Sequence, residues 1–190
     1  GDDVEIIVSV NGSLEDLEIT KKFLGHRVRL PQVKIVCTHK TLCMTESFDF
    51  AIKHATGMYI TTLGDDDALR FCFRQYVDNH FELHPDEILT WYRGAYFWND
   101  TPSAGLLVVT AWNDPVEVLF SKKLSQLRSS SVSYNELPNI YNSFIPKHLL
   151  NHILKKNLEF FDSAVIYPFA ECCAPDVYSG IQSTYYLTGS

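Results

Sequence analysis

The most constraining feature of this sequence is the regular alternation of apolar runs with helix-like segments in its first third. The β-branched run Val4 to Val10 precedes a helix pattern that starts at Ser13 and ends near Gly25. A second run, Val33 to Thr38, a helix pattern, Glu46 to Ala55, and a third run, Met58 to Leu63, repeat that order. Strands joined by helices pair in parallel through right-handed crossovers. The alternation therefore predicts an α/β fold.

The first helix carries clear signals for its start and its stop. Ser13 is a favoured N-cap residue, and Asp16 occupies the capping-box position three residues later. Gly25 is the residue type that ends helices. We expect this helix to turn its apolar residues inward: Leu14, Leu17, Ile19 and Phe23.

The rest of the chain gives weaker patterns, and we interpret it as part of one domain. Strands are predicted at 87–98, 106–112 and 140–145, and helices at 69–83, from Pro146 to Asn157, and at 177–187. A length of 190 residues suits a single domain over 1–190. We divide it at residue 70 into two halves, 1–70 and 71–190.

Composition excludes several classes of protein. An apolar fraction of 46% argues against a disordered chain, and a formal net charge of −7 argues against nucleic acid as a partner. The five cysteines have no CxxC spacing, which favours buried thiols in a reducing compartment. Neither a membrane-spanning run nor a signal peptide is recognisable. We therefore expect a cytoplasmic protein.

Three consecutive aspartates, Asp65 to Asp67, follow the third apolar run directly. Neighbouring carboxylates raise one another's pKa unless a cation relieves their repulsion. Ligands of open α/β sheets bind outside the carboxyl ends of the strands, where these residues would lie. Oxygen ligands select Mg²⁺ or Mn²⁺. A solvated turn, or a cap for a helix that starts at Ala68, is the alternative interpretation.

Three segments together resemble family 2 glycosyltransferases of the GT-A fold: EIIVSVNGS, SFDFAIKHATGMYITTLGDDDAL and APDVYSG. The resemblance covers residues 4 to 70 well and returns more weakly near 171 to 184. It implies a nucleotide- and metal-binding half, 1–70, and an acceptor-side half, 71–190. It implies an open, mostly parallel, Rossmann-like sheet flanked by helices. It also implies a turn beside the nucleotide at Asn11, Gly12 and Ser13, and a D-x-D-type metal cluster.

The resemblance implies a role for each matching residue. Mn²⁺ or Mg²⁺ would be held by Asp65, Asp66 and Asp67. The sugar nucleotide would be contacted by Asn11, Ser13, Ser47, Asp49, Asp65 and Asp66. Asp176 would be the general base, with Glu171 in reserve, and caps are the alternative role for Asp176, Ser47 and Asp49.

The function implied by the resemblance is inverting sugar transfer. A nucleoside diphosphate sugar, with a UDP-sugar preferred, would donate to a saccharide or lipid-linked acceptor, as in bacterial cell-surface polysaccharide synthesis. Such an enzyme would work in the cytoplasm or at the inner face of the membrane, through peripheral association. The aromatic residues between Trp91 and Trp98 would suit a homodimer contact.

Two departures from the family pattern favour an alternative function. The chain starts after the strand that usually carries a P-x-Y-N-like nucleotide loop, and Val10 stands where many members have an aspartate. The alternative is a non-catalytic sugar-nucleotide-binding or relic domain of the same fold. A further alternative is a nucleotidyl-transfer or phosphatase-like enzyme. Such an enzyme would be expected to carry a Gly-rich phosphate loop or a nucleophilic Asp near a strand end, and the sequence shows neither.

Two other groups of residues are weaker candidates. Trp91, Tyr92 and Arg93 could stack on a sugar and bind phosphate, but an aromatic strand is more often core. His148 and His152 have a metal-capable i, i+4 spacing and no third ligand in HExxH form, so we expect surface residues.

Overall fold

A computed structural model gives the fold. It describes residues 3–64, 67–69, 73–91, 94–96, 107–109, 120–129, 142–163, 165–166 and 186. Several predicted features lie outside these residues: Asp65, Asp66, Tyr92, Arg93, Glu171, Asp176 and almost all of the final helix. The chain divides into two compact units, one of Gly1–Ile60 with Pro146–Tyr178 and one of Thr61–Ile145 with Ser179–Ser190. The predicted division at residue 70 stays a prediction.

The described elements form a mixed α/β protein. The strands are β1 Ile6–Val10, β2 Val33–Cys37, β3 Tyr59–Ile60, β4 Leu89–Thr90, β5 Gly94–Tyr96, β6 Leu107–Val109 and β7 Ser143–Pro146. The helices are α1 Leu14–Leu24, α2 Met44–Lys53, α3 Phe73–Leu83, α4 Phe120–Arg128 and α5 Lys147–Phe161, with a short 3-10 helix at Gly25–Arg29. No helix among the described residues is long and apolar enough to cross a membrane.

The first unit opens with the strand–helix–strand arrangement that the sequence predicts. Strands β1 and β2 pair in parallel, with Ile6 opposite Val33 and Val10 opposite Cys37, and α1 connects them. Gly25 ends α1 with a positive φ of 57°, and its N–H donates to the Lys21 carbonyl. Cys37 is a buried free thiol, as predicted. The parallel pair and its crossover helix are confirmed, but β3, which the alternation predicts as a third strand of this sheet, is not part of it.

The second unit contains antiparallel pairs. Leu89 and Thr90 of β4 pair with Phe144 and Ser143 of β7, and β5 pairs with β6. The single aromatic strand predicted over 87–98 is described as two short strands, β4 and β5. Trp91 follows β4, and its N–H donates to the Asn142 carbonyl at 2.9 Å while its ring lies 5.4 Å from that of Phe144. Trp91 therefore packs within this unit, as the core interpretation expects.

The prediction that Leu14, Ile19 and Phe23 lie on the inward face of α1 is wrong. Phe23 is 84% exposed, and Leu14 and Ile19 are exposed as well. The half-buried residues of this helix are Leu17, Thr20 and Leu24. These lie three and four residues apart and share one face, whereas Ile19 and Phe23 form a second pair on another face. The apolar residues of α1 thus lie on two faces, and the chain buries only one of them in part.

Helix α5 supplies the most buried side chains of the first unit. Leu150 and Ile153 are almost fully buried, as are Ile52 of α2 and Ile166. Burial of one such aliphatic side chain contributes about 1.5–3 kcal/mol. The helix begins one residue after Pro146 and continues past the predicted end at Asn157 to Phe161. Its C-cap is Asp162, whose backbone is in the left-handed conformation and whose N–H donates to the Leu158 carbonyl.

Glu5 joins the residues before β1 to those before β3. One of its carboxylate oxygens accepts from the Thr56 N–H at 2.8 Å and from the Thr56 hydroxyl at 3.1 Å. The Thr56 N–H is the largest cause that lowers the pKa of Glu5. A carboxyl group with a lowered pKa stabilises the fold above its unfolded-state pKa, and the contribution is lost as the pH falls through the folded-state pKa.

Replacing Glu5 with Gln is expected to lower the free energy of unfolding at pH 7 by up to about 0.5 kcal/mol, because the group is largely exposed. The difference should be smaller at pH 3, because more of Glu5 is then protonated and the protonated side chain resembles Gln. Urea unfolding of both proteins at the two pH values measures this. An equal difference at both values would show that the charge of Glu5 contributes nothing.

Candidate functional site

The predicted nucleotide turn lies at the carboxyl end of β1, beside the carboxyl end of β2. Asn11 donates from Nδ2 to the Leu42 carbonyl at 2.9 Å, and its Oδ1 accepts from the Leu42 N–H at 2.8 Å. This reciprocal pair joins the turn to the segment directly before α2. The side chain of Asn11 therefore fixes the position of the turn by bonds to the backbone.

Thr38 and Cys37 hold the same turn from the end of β2. The Gly12 N–H donates to the Thr38 hydroxyl at 3.1 Å, and the Thr38 N–H donates to the Val10 carbonyl at 3.0 Å. The Cys37 thiol donates to the Gly12 carbonyl at 3.4 Å. Gly12 is buried as a result. The backbone of the turn is thus packed closely against the neighbouring strand.

Ser13 is the N-cap of α1, as the sequence predicts. Its hydroxyl accepts from the Asp16 N–H at 3.3 Å, and the Asp16 carboxylate accepts from the Ser13 N–H at 2.7 Å. Hydrogen bonds from the side chain and backbone of Ser13 lower the pKa of Asp16. The capping box keeps the start of α1 at the carboxyl end of β1, where the positive end of a helix dipole can attract an anion.

Gly12 is required in this turn because of the capping box. A Cβ atom at residue 12 would overlap the carboxylate of Asp16. We expect Gly12→Ala to displace Asp16 and to lower the Tm by about 3 °C, the effect of losing one N-cap in a chain of this size.

Gly57→Ala is the matched control for this change. A Cβ atom there meets only the Tyr59 carbonyl, at 3.4 Å. Thermal unfolding followed by circular dichroism should show little change for Gly57→Ala. Equal decreases for the two variants would mean that the contact with Asp16 is unimportant.

Helix α2 carries the other two predicted nucleotide contacts on different faces. Ser47 is half-buried in the first turn, and Asp49 lies two residues further on with only 6% of its surface exposed. The Asp49 carboxylate accepts from the Ile166 N–H at 2.7 Å. Residues two apart on a helix do not face each other. Asp49 thus anchors residue 166, and ligand contact by either residue stays a prediction.

Asp67 is the one member of the acidic cluster that the structure describes. Its N–H donates to the Gly64 carbonyl at 3.2 Å, and its carboxylate accepts from the Gly64 N–H at 3.1 Å. These bonds join Asp67 to Gly64, and the side chain of Asp67 is exposed. Exposed carboxylate oxygens are suitable ligands for Mg²⁺ or Mn²⁺.

Asp65 and Asp66 lie outside the described residues, so the metal cluster as a whole stays a prediction. Among those that are described, no group of three His, Cys, Asp or Glu side chains could hold a metal ion. His148 is exposed and His152 half-buried, as expected for surface residues. The predicted base Asp176 and its reserve Glu171 lie outside the described part of the chain.

Comparisons with protein-family models, curated proteins and solved structures find no match to this chain. The resemblance to family 2 glycosyltransferases therefore depends on the three sequence segments quoted above. The structure adds the local geometry around the first of them, from β1 to the start of α2.

Sequence reasoning missed the residues that hold the turn in place. Thr38 and Leu42 are the partners of Gly12 and Asn11, and neither stood out in the sequence. A threonine directly after a buried strand is a signal that could have identified Thr38. Leu42 binds only through its backbone, so its side chain gives no signal.

Proposed function

We propose that this chain is a metal-dependent inverting glycosyltransferase with a GT-A-like, mostly parallel sheet. Its donor is a nucleoside diphosphate sugar, with a UDP-sugar preferred, and its acceptor is a saccharide or a lipid-linked saccharide. The observation that carries the proposal is the parallel β1–β2 pair with Asn11, Gly12 and Ser13 at its carboxyl end. An Asn-Gly-Ser turn at this place is what the family resemblance requires.

The proposal gives the acidic cluster a clear electrostatic role. Asp65, Asp66 and Asp67 would hold Mn²⁺ or Mg²⁺, which when bound stabilises the negative charge of the departing nucleoside diphosphate. The chain has a net charge of −7 and so offers no bulk positive charge for a diphosphate. Asp176 would accept the proton of the acceptor hydroxyl.

The turn after β1 would position the start of α1 beside the nucleotide, and the N–H groups of Gly12 and Ser13 are engaged within the chain. The side chains of Asn11 and Ser13 are both engaged in hydrogen bonds within the chain. Their role in the proposal is therefore to hold the turn and the start of α1 in a fixed geometry. A preorganised turn avoids an ordering cost when the nucleotide binds.

One observation favours the alternative, a non-catalytic nucleotide-binding domain of the same fold. Val10 occupies the position where many family members have an aspartate that contacts the base or ribose. Its side chain is only 8% exposed and belongs to the core of the first unit. A domain without that contact could still bind a diphosphate through a metal ion.

Isothermal titration with UDP, GDP and dTDP, with and without Mn²⁺, tests the proposal. Binding of one nucleotide that requires Mn²⁺, followed by sugar transfer from the corresponding donor, is the expected result. Binding without transfer to any of a panel of saccharide acceptors would favour the alternative. No binding of any nucleotide by a folded sample would overturn both.

A further inference from the structure

The first unit contains a cavity of about 150 Å³, and Asp49 is the one predicted nucleotide contact in its lining. It is lined by the second half of α2, the last residue of β3, the first two turns of α5, and Ala55 and Ile166. The predicted nucleotide turn, in contrast, follows the carboxyl end of β1. None of Asn11, Gly12 and Ser13 lines the cavity, so it is separate from that turn.

The inner wall of the cavity is apolar and well buried. It is formed mainly by Ile52, Ile60, Leu150, Leu154 and Ile166. Four of these five are buried, and Leu154 is half-buried. A cavity of this volume in an apolar protein interior is large enough to hold a benzene ring. The wall therefore suits the apolar part of a small molecule.

Two lysines from different helices line the same cavity. Lys53 is the last residue of α2, and Lys147 is the first residue of α5. The Lys147 ammonium donates to the Ala55 carbonyl at 3.1 Å, which fixes it at the wall. Neither lysine has an ion pair with a carboxylate of the described residues. Lys147 retains two further donors for a ligand.

The acidic residue in the lining does not neutralise both lysines. Asp49 is the one carboxylate there, and its Oδ1 accepts from the Ile166 N–H at 2.7 Å. The lining thus has one more positive than negative charge. In addition, α5 starts at this cavity, and its N-cap Pro146 provides no capping side chain. The positive end of the helix dipole adds to the attraction for an anion.

We propose that this cavity binds a small organic anion with an apolar body about the size of a benzene ring. The anionic head lies between Lys53 and Lys147, and the apolar body contacts the aliphatic wall. An aromatic carboxylate and an aromatic phosphate ester share this chemistry. The site uses none of the predicted metal ligands, and Asp49, the one predicted nucleotide contact in its lining, accepts from the Ile166 N–H.

Titration of the methyl-labelled protein with benzoate, phenyl phosphate, benzyl alcohol and benzylamine, followed by NMR, tests the proposal. We expect saturable shifts at the methyl groups of Ile52, Ile60 and Leu150 with at least one of the two anions, and the comparison of the anions identifies the head group. The neutral and cationic molecules should bind about tenfold more weakly or not at all.

Three variants locate the binding. Lys147→Met and Lys53→Met remove a charge and keep most of the stem, so each should weaken anion binding by about tenfold. Ala55→Leu should block binding by filling the cavity, while the Ala55 carbonyl still accepts from Lys147. Lys122→Met, on the exposed surface of α4, is the matched control and should change nothing.

The outcomes separate this site from nonspecific binding. Thermal unfolding of each variant shows which of them are folded and can be compared. The proposal is overturned if neither anion gives saturable shifts in the wild-type protein. It is also overturned if benzylamine binds as tightly as the anions, or if Ala55→Leu and Lys147→Met, both folded, bind the anion as the wild type does. None of these results depends on nucleotide binding.

Discussion

Asp66→Ala is expected to weaken Mn²⁺-dependent nucleotide binding by at least about 100-fold, which corresponds to roughly 2.7 kcal/mol. In the proposed site Asp66 would be a ligand of the cation that offsets the charge of the diphosphate. Without it, the remaining carboxylates hold the cation weakly, and the diphosphate meets a negatively charged chain. Calorimetric titration with the nucleotide that binds the wild-type protein measures this loss.

Glu82→Ala is a suitable control for the change in net charge. Glu82 is exposed near the end of α3 and, like Asp66, has one carboxyl group. Nucleotide binding by this variant should match that of the wild type. Equal affinities for Asp66→Ala and Glu82→Ala would remove the metal cluster from the proposal, because a folded chain would then bind nucleotide without its central carboxylate.

Asp67 has a structural role in addition to its proposed role as a cation ligand. Its carboxylate and its N–H both bond to Gly64. A substitution at Asp67 therefore breaks a bond to Gly64 as well as changing the proposed cation site. For this reason Asp66 gives the clearer test of metal binding.

Local signals in the sequence predicted the elements around the candidate site. The capping box of Ser13 and Asp16 and the C-cap Gly25 define both ends of α1, and each signal acts within a few residues. The parallel pairing of β1 and β2 follows from the helix between them. Such features depend on short stretches of chain, so a single sequence contains them.

Contacts between distant segments could not be predicted in the same way. The bond from the Ile166 N–H to Asp49 joins residues 117 apart, and the Asn11 bonds to Leu42 span 31 residues. No local pattern links such partners. The exposed face of α1 was missed for the same reason. Phe23 is apolar, and no local pattern shows that 84% of its surface is exposed in the folded chain. Tertiary packing decides these features.

Asn157 shows a signal that sequence reasoning could have used. Leu150, Ile153 and Asn157 are spaced three and four residues apart and so lie on one face of α5. A polar residue on an otherwise apolar face must have a buried hydrogen-bond partner. The structure provides two, since the Asn157 amide donates to the Val165 carbonyl at 2.7 Å and to the Ile166 carbonyl at 3.2 Å.

Asn157 and Asp49 together determine the position of residues 165 and 166. Asn157 of α5 binds their carbonyl groups, and Asp49 of α2 binds the Ile166 N–H. Ile166 in turn closes the aliphatic wall of the cavity. A polar clamp from two helices thus fixes an apolar residue, and its loss should affect stability strongly.

Asn157→Asp is expected to lower the free energy of unfolding by about 3 kcal/mol or more at pH 7. The side chain at 157 is 0% exposed, so the change places a buried carboxylate against two carbonyl oxygens and removes both donors. Burial and the carbonyl groups raise the pKa of the introduced carboxyl in the folded state.

The pH dependence of that loss gives a second, independent check. Because the folded-state pKa is raised, ionisation of the introduced carboxyl group destabilises the fold. This loss of stability is absent below the unfolded-state pKa, near 4, and grows as the pH rises to the folded-state pKa. Urea unfolding at pH 4 and pH 7 should therefore show a larger loss at pH 7. Asn151→Asp, the same change at an exposed position of α5, is the control and should be nearly neutral. A similar loss for both variants, or a loss independent of pH, would mean that Asn157 does not clamp residues 165 and 166 in solution.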